Sequence, residues 1–169
     1  MKSYKPVFWA GIVLGIGLGG FVDGIVLHQI LQWHHMLSAT FPPTSVGNLQ
    51  VDTLADGLFH AGTWVVTAVG LAMLWRAGRR SDALWSPSVF IGALLMGWGL
   101  FDLVEGLIDH QILGIHHVRP GPNEFAYDMG FLAFGALLTM VGWLLVRRGR
   151  SAEVTERADA ARGAATRQA

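Results

Sequence analysis

Seven histidines and no cysteine set the chemistry open to this chain. His28, His34, His35, His60, His110, His116 and His117 recur in the company of Asp23, Asp56, Asp102, Glu105, Asp109 and Asp128. Imidazole and carboxylate without sulfur suit iron, zinc, manganese or copper(II), and disfavour a soft copper(I) site unless Met36 joins. The same groups can relay protons, and opposed histidines such as His28 and His110 can hold a haem by both axial positions. Without cysteine, disulfides, thiolate metal sites and cysteine nucleophiles are excluded. The bland alternative is an interfacial cap in which His, Asp and Gln merely hydrogen-bond helices together.

The spacing repeats. Asp23, Gly24, His28-Gln29-Ile30-Leu31, His34 and His35 stand 82 positions before Glu105, Gly106, His110-Gln111-Ile112-Leu113, His116 and His117. A weaker match at 72 positions pairs Asp56 with Asp128, Phe59 with Phe131 and Val69-Gly70 with Val141-Gly142. The halves differ where chemistry could differ: Asp102 stands for Gly20, Asp109 for Leu27, and Leu132 for His60. On an ideal helix Asp102, Glu105 and Asp109 form an i, i+3, i+7 carboxylate stripe that His116 continues, and Asp56 and His60 stand at i, i+4. His28 and His35 share a helix face but lie about 10 Å apart along the axis, so one ion needs ligands from several helices. The expected ligands are His28, His34, His60, Glu105, Asp109, His110 and His116, with Asp23, His35, Asp56, Asp102, His117 and Asp128 orienting them.

Something must bring these residues together, and composition says what. The chain has 169 residues, of which 52% are apolar and 14% charged, a balance that points to membrane segments. Four runs, Pro6 to Leu27, Gly57 to Trp75, Val89 to Ile108 and Met129 to Val146, are long enough to cross about 30 Å of hydrocarbon as helices. The first is too long, and lacks the small-residue cleavage site, for a cleaved signal peptide. The expected fold is an all-α integral membrane four-helix bundle made of two parallel-repeat hairpins, one about 6–80 and the other about 84–150. Residues 151–169 read as a polar cytoplasmic tail with the composition of a disordered segment.

Lys2, Lys5, Arg76, Arg79, Arg80, Arg147, Arg148 and Arg150 flank one set of helix ends, and the opposite loops carry only Arg119. By the positive-inside rule both termini are cytoplasmic, in an inner (plasma) membrane, and the histidines gather toward the outer side. Gly15, Gly17 and Gly20 satisfy G-x-G-x-x-G but lie inside a membrane helix with no preceding strand, so they bind no nucleotide. Gly11, Gly15 and Gly19 read instead as a small-residue stripe for close helix packing. No catalytic triad, P-loop or nucleic-acid motif is present.

The run Asp23 through Met36, with Phe101-Asp102-Leu103-Val104-Glu105-Gly106, Asp109-His110 and His116-His117, resembles the bacterial membrane-protein family called domain of unknown function 2243. The resemblance covers about residues 6–150 and implies a four-span membrane protein without implying a reaction. The leading expectation is a transition metal site, iron, copper or zinc, used in metal handling or in maturing a metalloenzyme. Its partners would be the lipid bilayer and another membrane protein or metalloenzyme. The competing expectations are a membrane oxidoreductase with a di-iron or haem centre and an assembly protein with a purely hydrogen-bonded cap. A proton-coupled carrier is less well supported, because the inner halves of the helices lack ionisable residues.

Overall fold

Long apolar runs bounded by capping residues generate four helices, seen in a computed structural model that describes the backbone of residues 2–166 and the side chains of residues 2–151. Helix α1 spans Lys5–Asp23, α2 Val46–Gly78, α3 Pro87–Glu105 and α4 Glu124–Thr166. Ser45 caps α2 by accepting from the Asn48 amide, and Ser86 caps α3 by accepting from the Val89 amide, with Pro87 opening that helix. No strand forms among the described residues. All four helices are long and apolar enough to cross a membrane, so the chain has the architecture of a four-span membrane protein.

Helices α2 and α4 are longer than their apolar runs, because α2 begins in the polar stretch before Gly57 and α4 runs past Val146 to Thr166. The backbone of residues 152–166 therefore continues the last helix, and residues 167–169 of the expected tail lie outside the described ones.

The bundle is a row. α1 packs on α3, α2 flanks α1, and α4 flanks α3, while α2 and α4 do not meet among the described residues. Close approach of the central pair depends on glycine: a Cβ on Gly15 would collide with the Leu94 carbonyl, and one on Gly97 with the Ile12 carbonyl. A Cβ on Gly11 would likewise meet Ala93, while Leu14 packs on Gly70 of α2 and Val89 on Gly149 of α4. Between apolar helices in lipid such packing replaces the hydrophobic drive of a soluble core. The flanking helices keep large apolar faces outward, among them Trp64, Leu71, Trp75, Leu137 and Met140, which suits a hydrocarbon surround.

One end of the row collects the basic residues. The Ser3 amide donates to the Asp82 carbonyl at 2.8 Å and the Leu84 amide to the Ser3 carbonyl at 2.9 Å, tying the N-terminus to the α2–α3 loop. Arg150 lies over the Phe8 ring at 5.2 Å, bringing α4 to the same end. The histidines occupy the opposite end.

There α1 and α3 both change character. Each continues as a wider π-helix, Gly24–Ile30 after α1 and Gly106–Leu113 after α3. These begin at the matching glycines and contain His28 and His110. Both then reverse through left-handed backbone, with φ of +59° at Gly114 and +50° at Gln32, 82 positions earlier. Gly114 adopts this φ freely, whereas Gln32 must be held there, and the hydrogen bonds of His34 to Val118 and of His35 to Asp56 do so. The π-turns and reversals fold His34, His35, His116 and His117 back over the helix ends.

Candidate metal centre

Two aspartates on the flanking helices anchor the returning segments. Asp56 on α2 accepts from His28 Nδ1 at 2.9 Å, His35 Nδ1 at 2.7 Å and the Met36 amide at 2.9 Å. Asp128 on α4 accepts from His117 Nδ1 at 2.7 Å and the Val118 amide at 3.0 Å, and lies 3.6 Å from His110 Nδ1. Gln29 and Gln111 donate to the same two carboxylates, at 3.4 Å and 3.1 Å. Both aspartates are almost wholly buried, so these donors replace the water each carboxylate has lost.

Two further histidines cross between the hairpins. His34 Nδ1 donates to the Val118 carbonyl at 2.8 Å, and His116 Nδ1 donates to the Met36 carbonyl at 3.2 Å. A carbonyl only accepts, so both rings carry a proton on Nδ1; Nε2 of His34 keeps its lone pair, whereas a proton lies between Nε2 of His116 and Glu105 Oε1, 2.8 Å apart. Burial pushes the His34 imidazole down to about 3, and neighbouring His28 and His116 push it the same way. It is neutral at physiological pH, the form that ligates a metal.

With Nδ1 turned outward, the other edges meet. His28, His34 and His116 bring one donor atom each to within 4.8 Å of one another, and so do Glu105, His110 and His116. His116 belongs to both groups. Glu105 Oε1 is 3.0 Å from His110 Nε2 and 2.8 Å from His116 Nε2, and Asp23 Oδ2 is 3.3 Å from His28 Nε2. Ring centroids lie 4.4 Å apart for His28 and His34, 4.7 Å for His34 and His116, and 4.9 Å for His110 and His116. All four histidines are buried, and His28 and His116 have no exposed surface at all. A tetrahedral ion with bonds of about 2.0–2.1 Å holds its donors roughly 3.4 Å apart, so small side-chain movements would close either group on a metal.

The family model of domain of unknown function 2243, described as a predicted membrane protein, matches residues 10–149. The chain belongs to that family. The match takes in α2 and α3 whole, α1 from residue 10, α4 to residue 149, and every residue of the cluster. No curated protein and no solved structure matches the chain.

In this member of the 2243 family, five residues expected as ligands, His28, His34, Glu105, His110 and His116, fall together in these two groups. His60 and Asp109 fall in neither. His60 Nδ1 donates to the Asp56 backbone carbonyl of its own helix at 2.8 Å, and its ring stands against Gly24. Asp109 lies in the π-turn that starts at Gly106, where the 3.6-residue register of the expected stripe no longer holds. Asp23, expected behind the histidines, instead faces His28 Nε2 from the inner side. His35 and His117 lie outward on Asp56 and Asp128 as orienting groups would, and Asp102 is buried one turn below Glu105 on α3. Sequence reasoning missed Asp52, fully buried on α2; its position one turn before Asp56 was the available signal. It also missed that Met36 acts through its backbone, amide to Asp56 and carbonyl to His116.

Proposed function

We propose that this membrane protein binds a transition ion, iron, copper or zinc, at His28, His34, His110, His116 and Glu105, for metal handling or the maturation of a metalloenzyme. One observation carries the reading: Nδ1 of His28, His34 and His116 is spent on an outer acceptor, and the opposite edges converge in a buried site with Asp23 and Glu105. An acceptor behind each imidazole fixes tautomer and ring orientation, the arrangement that metal ligation uses. A purely hydrogen-bonded cap would leave few buried polar atoms idle, yet Nε2 of His34 and Oε2 of Glu105 have no hydrogen-bond partner at the centre of the cluster. Direct contact among the four rings favours a bare ion over a haem, which would need a slot between them.

Duplication of one hairpin accounts for the arrangement, because residues 82 apart make the same contacts: His34 to the carbonyl of Val118, and His116 to the carbonyl of Met36. Both termini lie on the cytoplasmic side, by the distribution of Lys and Arg, and the site lies toward the outer face. With no native cysteine to interfere, Thr44→Cys should react with a membrane-impermeant maleimide in intact cells and Ser81→Cys only after permeabilisation. The opposite pattern would invert the topology.

Metal analysis tests the function. Protein purified from metal-replete cells should carry close to one ion per chain, and the double variant His28→Ala, His110→Ala should carry none while remaining folded. Well-folded wild-type protein free of metal would sink the proposal.

A further inference from the structure

Two cavities flank the central helix pair, and the matching positions of the two hairpins build both. The smaller, about 190 Å³, is lined by Val22, Asp23, Val26, Leu27, Trp98 and Phe134 among others. The larger, about 490 Å³, is lined at the corresponding places by Val104, Glu105, Ile108 and Asp109, with Ile16 where the smaller has Trp98. Phe134, which packs edge to face on Trp98 at 6.3 Å, has Gly62 at its counterpart position 72 residues earlier. One cavity is thus plugged by two aromatic rings, and the other has an isoleucine and a glycine at the matching places. Only the open one falls in the range of small-molecule sites, roughly 300–1,000 Å³.

Its mouth faces the bilayer. Leu100, Val104 and Ile108 line it at successive turns of a membrane-spanning helix, and all three are exposed on the outer surface of the protein. Its walls are apolar, with Phe59 and Phe101 at 6.1 Å and the side chain of Met36 nearby. Aromatic faces and a thioether favour a flat ring as occupant. Its polar lining comes from two carboxylates, Asp109 and Glu105, the latter 6% exposed with Oε2 lacking any partner. Carboxylates accept, so the occupant must donate. A cation would pay heavily to reach this depth through lipid, which favours a neutral hydroxyl.

We infer that this cavity is a lateral binding site for a lipid-soluble phenol or hydroquinone, entering from the bilayer with its ring against Phe59 and Phe101 and its hydroxyl donating to Glu105. The site stands independently of the metal reading, because Glu105 Oε2 is free whether or not Oε1 ligates an ion.

The test uses the full-length protein in phosphatidylcholine nanodiscs, with radiolabelled para-nonylphenol as probe and nonylbenzene, which lacks the hydroxyl, as competitor. Saturable binding above that of empty nanodiscs is expected, about one probe per chain, with nonylbenzene competing at least about tenfold less well for want of the charge-assisted hydrogen bond. Ile16→Trp, which copies the plugged cavity, should abolish saturable binding. Val104→Trp, at the exposed mouth where folding is undisturbed, should weaken it about tenfold or more by obstructing entry. Absence of saturable binding, equal competition by nonylbenzene, or wild-type binding by the folded Val104→Trp variant would each overturn the inference. Metal content measured on the same samples separates this failure from failure of the metal proposal.

Discussion

The two hairpins carry the same parts, yet they hold them differently. Asp56 grips His28 Nδ1 at 2.9 Å, while Asp128 stands 3.6 Å from His110 Nδ1. At the inner edge the order reverses: His110 Nε2 is 3.0 Å from Glu105, and His28 Nε2 is 3.3 Å from Asp23. The cause is one methylene. Glu105 reaches far enough to engage both His110 and His116, drawing His110 inward, whereas the shorter Asp23 meets only His28. The first hairpin therefore secures its histidine from behind and the second from the front. The two matching hairpins thus differ at the centre while keeping the same outer anchors.

The outer anchors give the largest expected effects. Asp56→Ala strands the imidazole donors of His28 and His35 and the Met36 amide, and should cost about 3–5 kcal/mol of stability, the range for breaking a buried, charged hydrogen-bond network. Asp128→Ala should cost roughly 1 kcal/mol less, because its contact with His110 is already stretched. Thermal unfolding of both variants in one detergent provides the comparison. Equal losses would show that the difference in contact length has no energetic meaning.

The inner edge comes next. Glu105→Asp withdraws the carboxylate that bridges His110 and His116, and should lower metal affinity on the order of tenfold, measured by competition with a chelator of known affinity. Asp23→Glu should change affinity less, since His28 is already fixed from behind by Asp56. A larger effect at Asp23 would place the centre of the site on the first hairpin.

Much of this could be read before any coordinates. Hydropathy located the four spans, and the glycine stripe of α1 proved to be the central seam, as Gly15 against Leu94 shows. The offsets of 82 and 72 singled out Asp56, Asp128 and the paired histidines. The path of the backbone beyond Asp23 and Glu105 was not legible. A straight helix keeps His28 and His35 about 10 Å apart, yet both bond Asp56, because a π-turn and a left-handed residue at Gln32 bring the chain back. The same departure breaks the 3.6-residue register on which the Asp102, Glu105, Asp109 stripe rested. Local spacing rules assume 3.6 residues per turn, and tertiary contacts to Asp56 and Asp128 override them. Contacts through backbone atoms, such as His34 to the Val118 carbonyl, leave no side-chain signature to find.

The smallest expected effect concerns the residue that most looked like an extra ligand. His60 on α2 stands against Gly24, and at the matching place on α4 Leu132 stands against the matching Gly106. Both fill the same pit, one with a polar ring and one with a branched alkyl group. The His60 ring gains a single hydrogen bond, to a carbonyl already in its own helix, and leaves Nε2 buried without a partner. Replacing such a group by an apolar one of similar shape is close to neutral, since the lost bond is offset by the desolvation it relieves. His60→Leu should thus shift stability by no more than about 0.5 kcal/mol and leave metal content unchanged. Metal analysis and thermal unfolding of this variant together decide between packing and ligation. Loss of the ion from an otherwise stable protein would extend the ligand set onto α2, and the centre would then belong as much to the first hairpin as to the second.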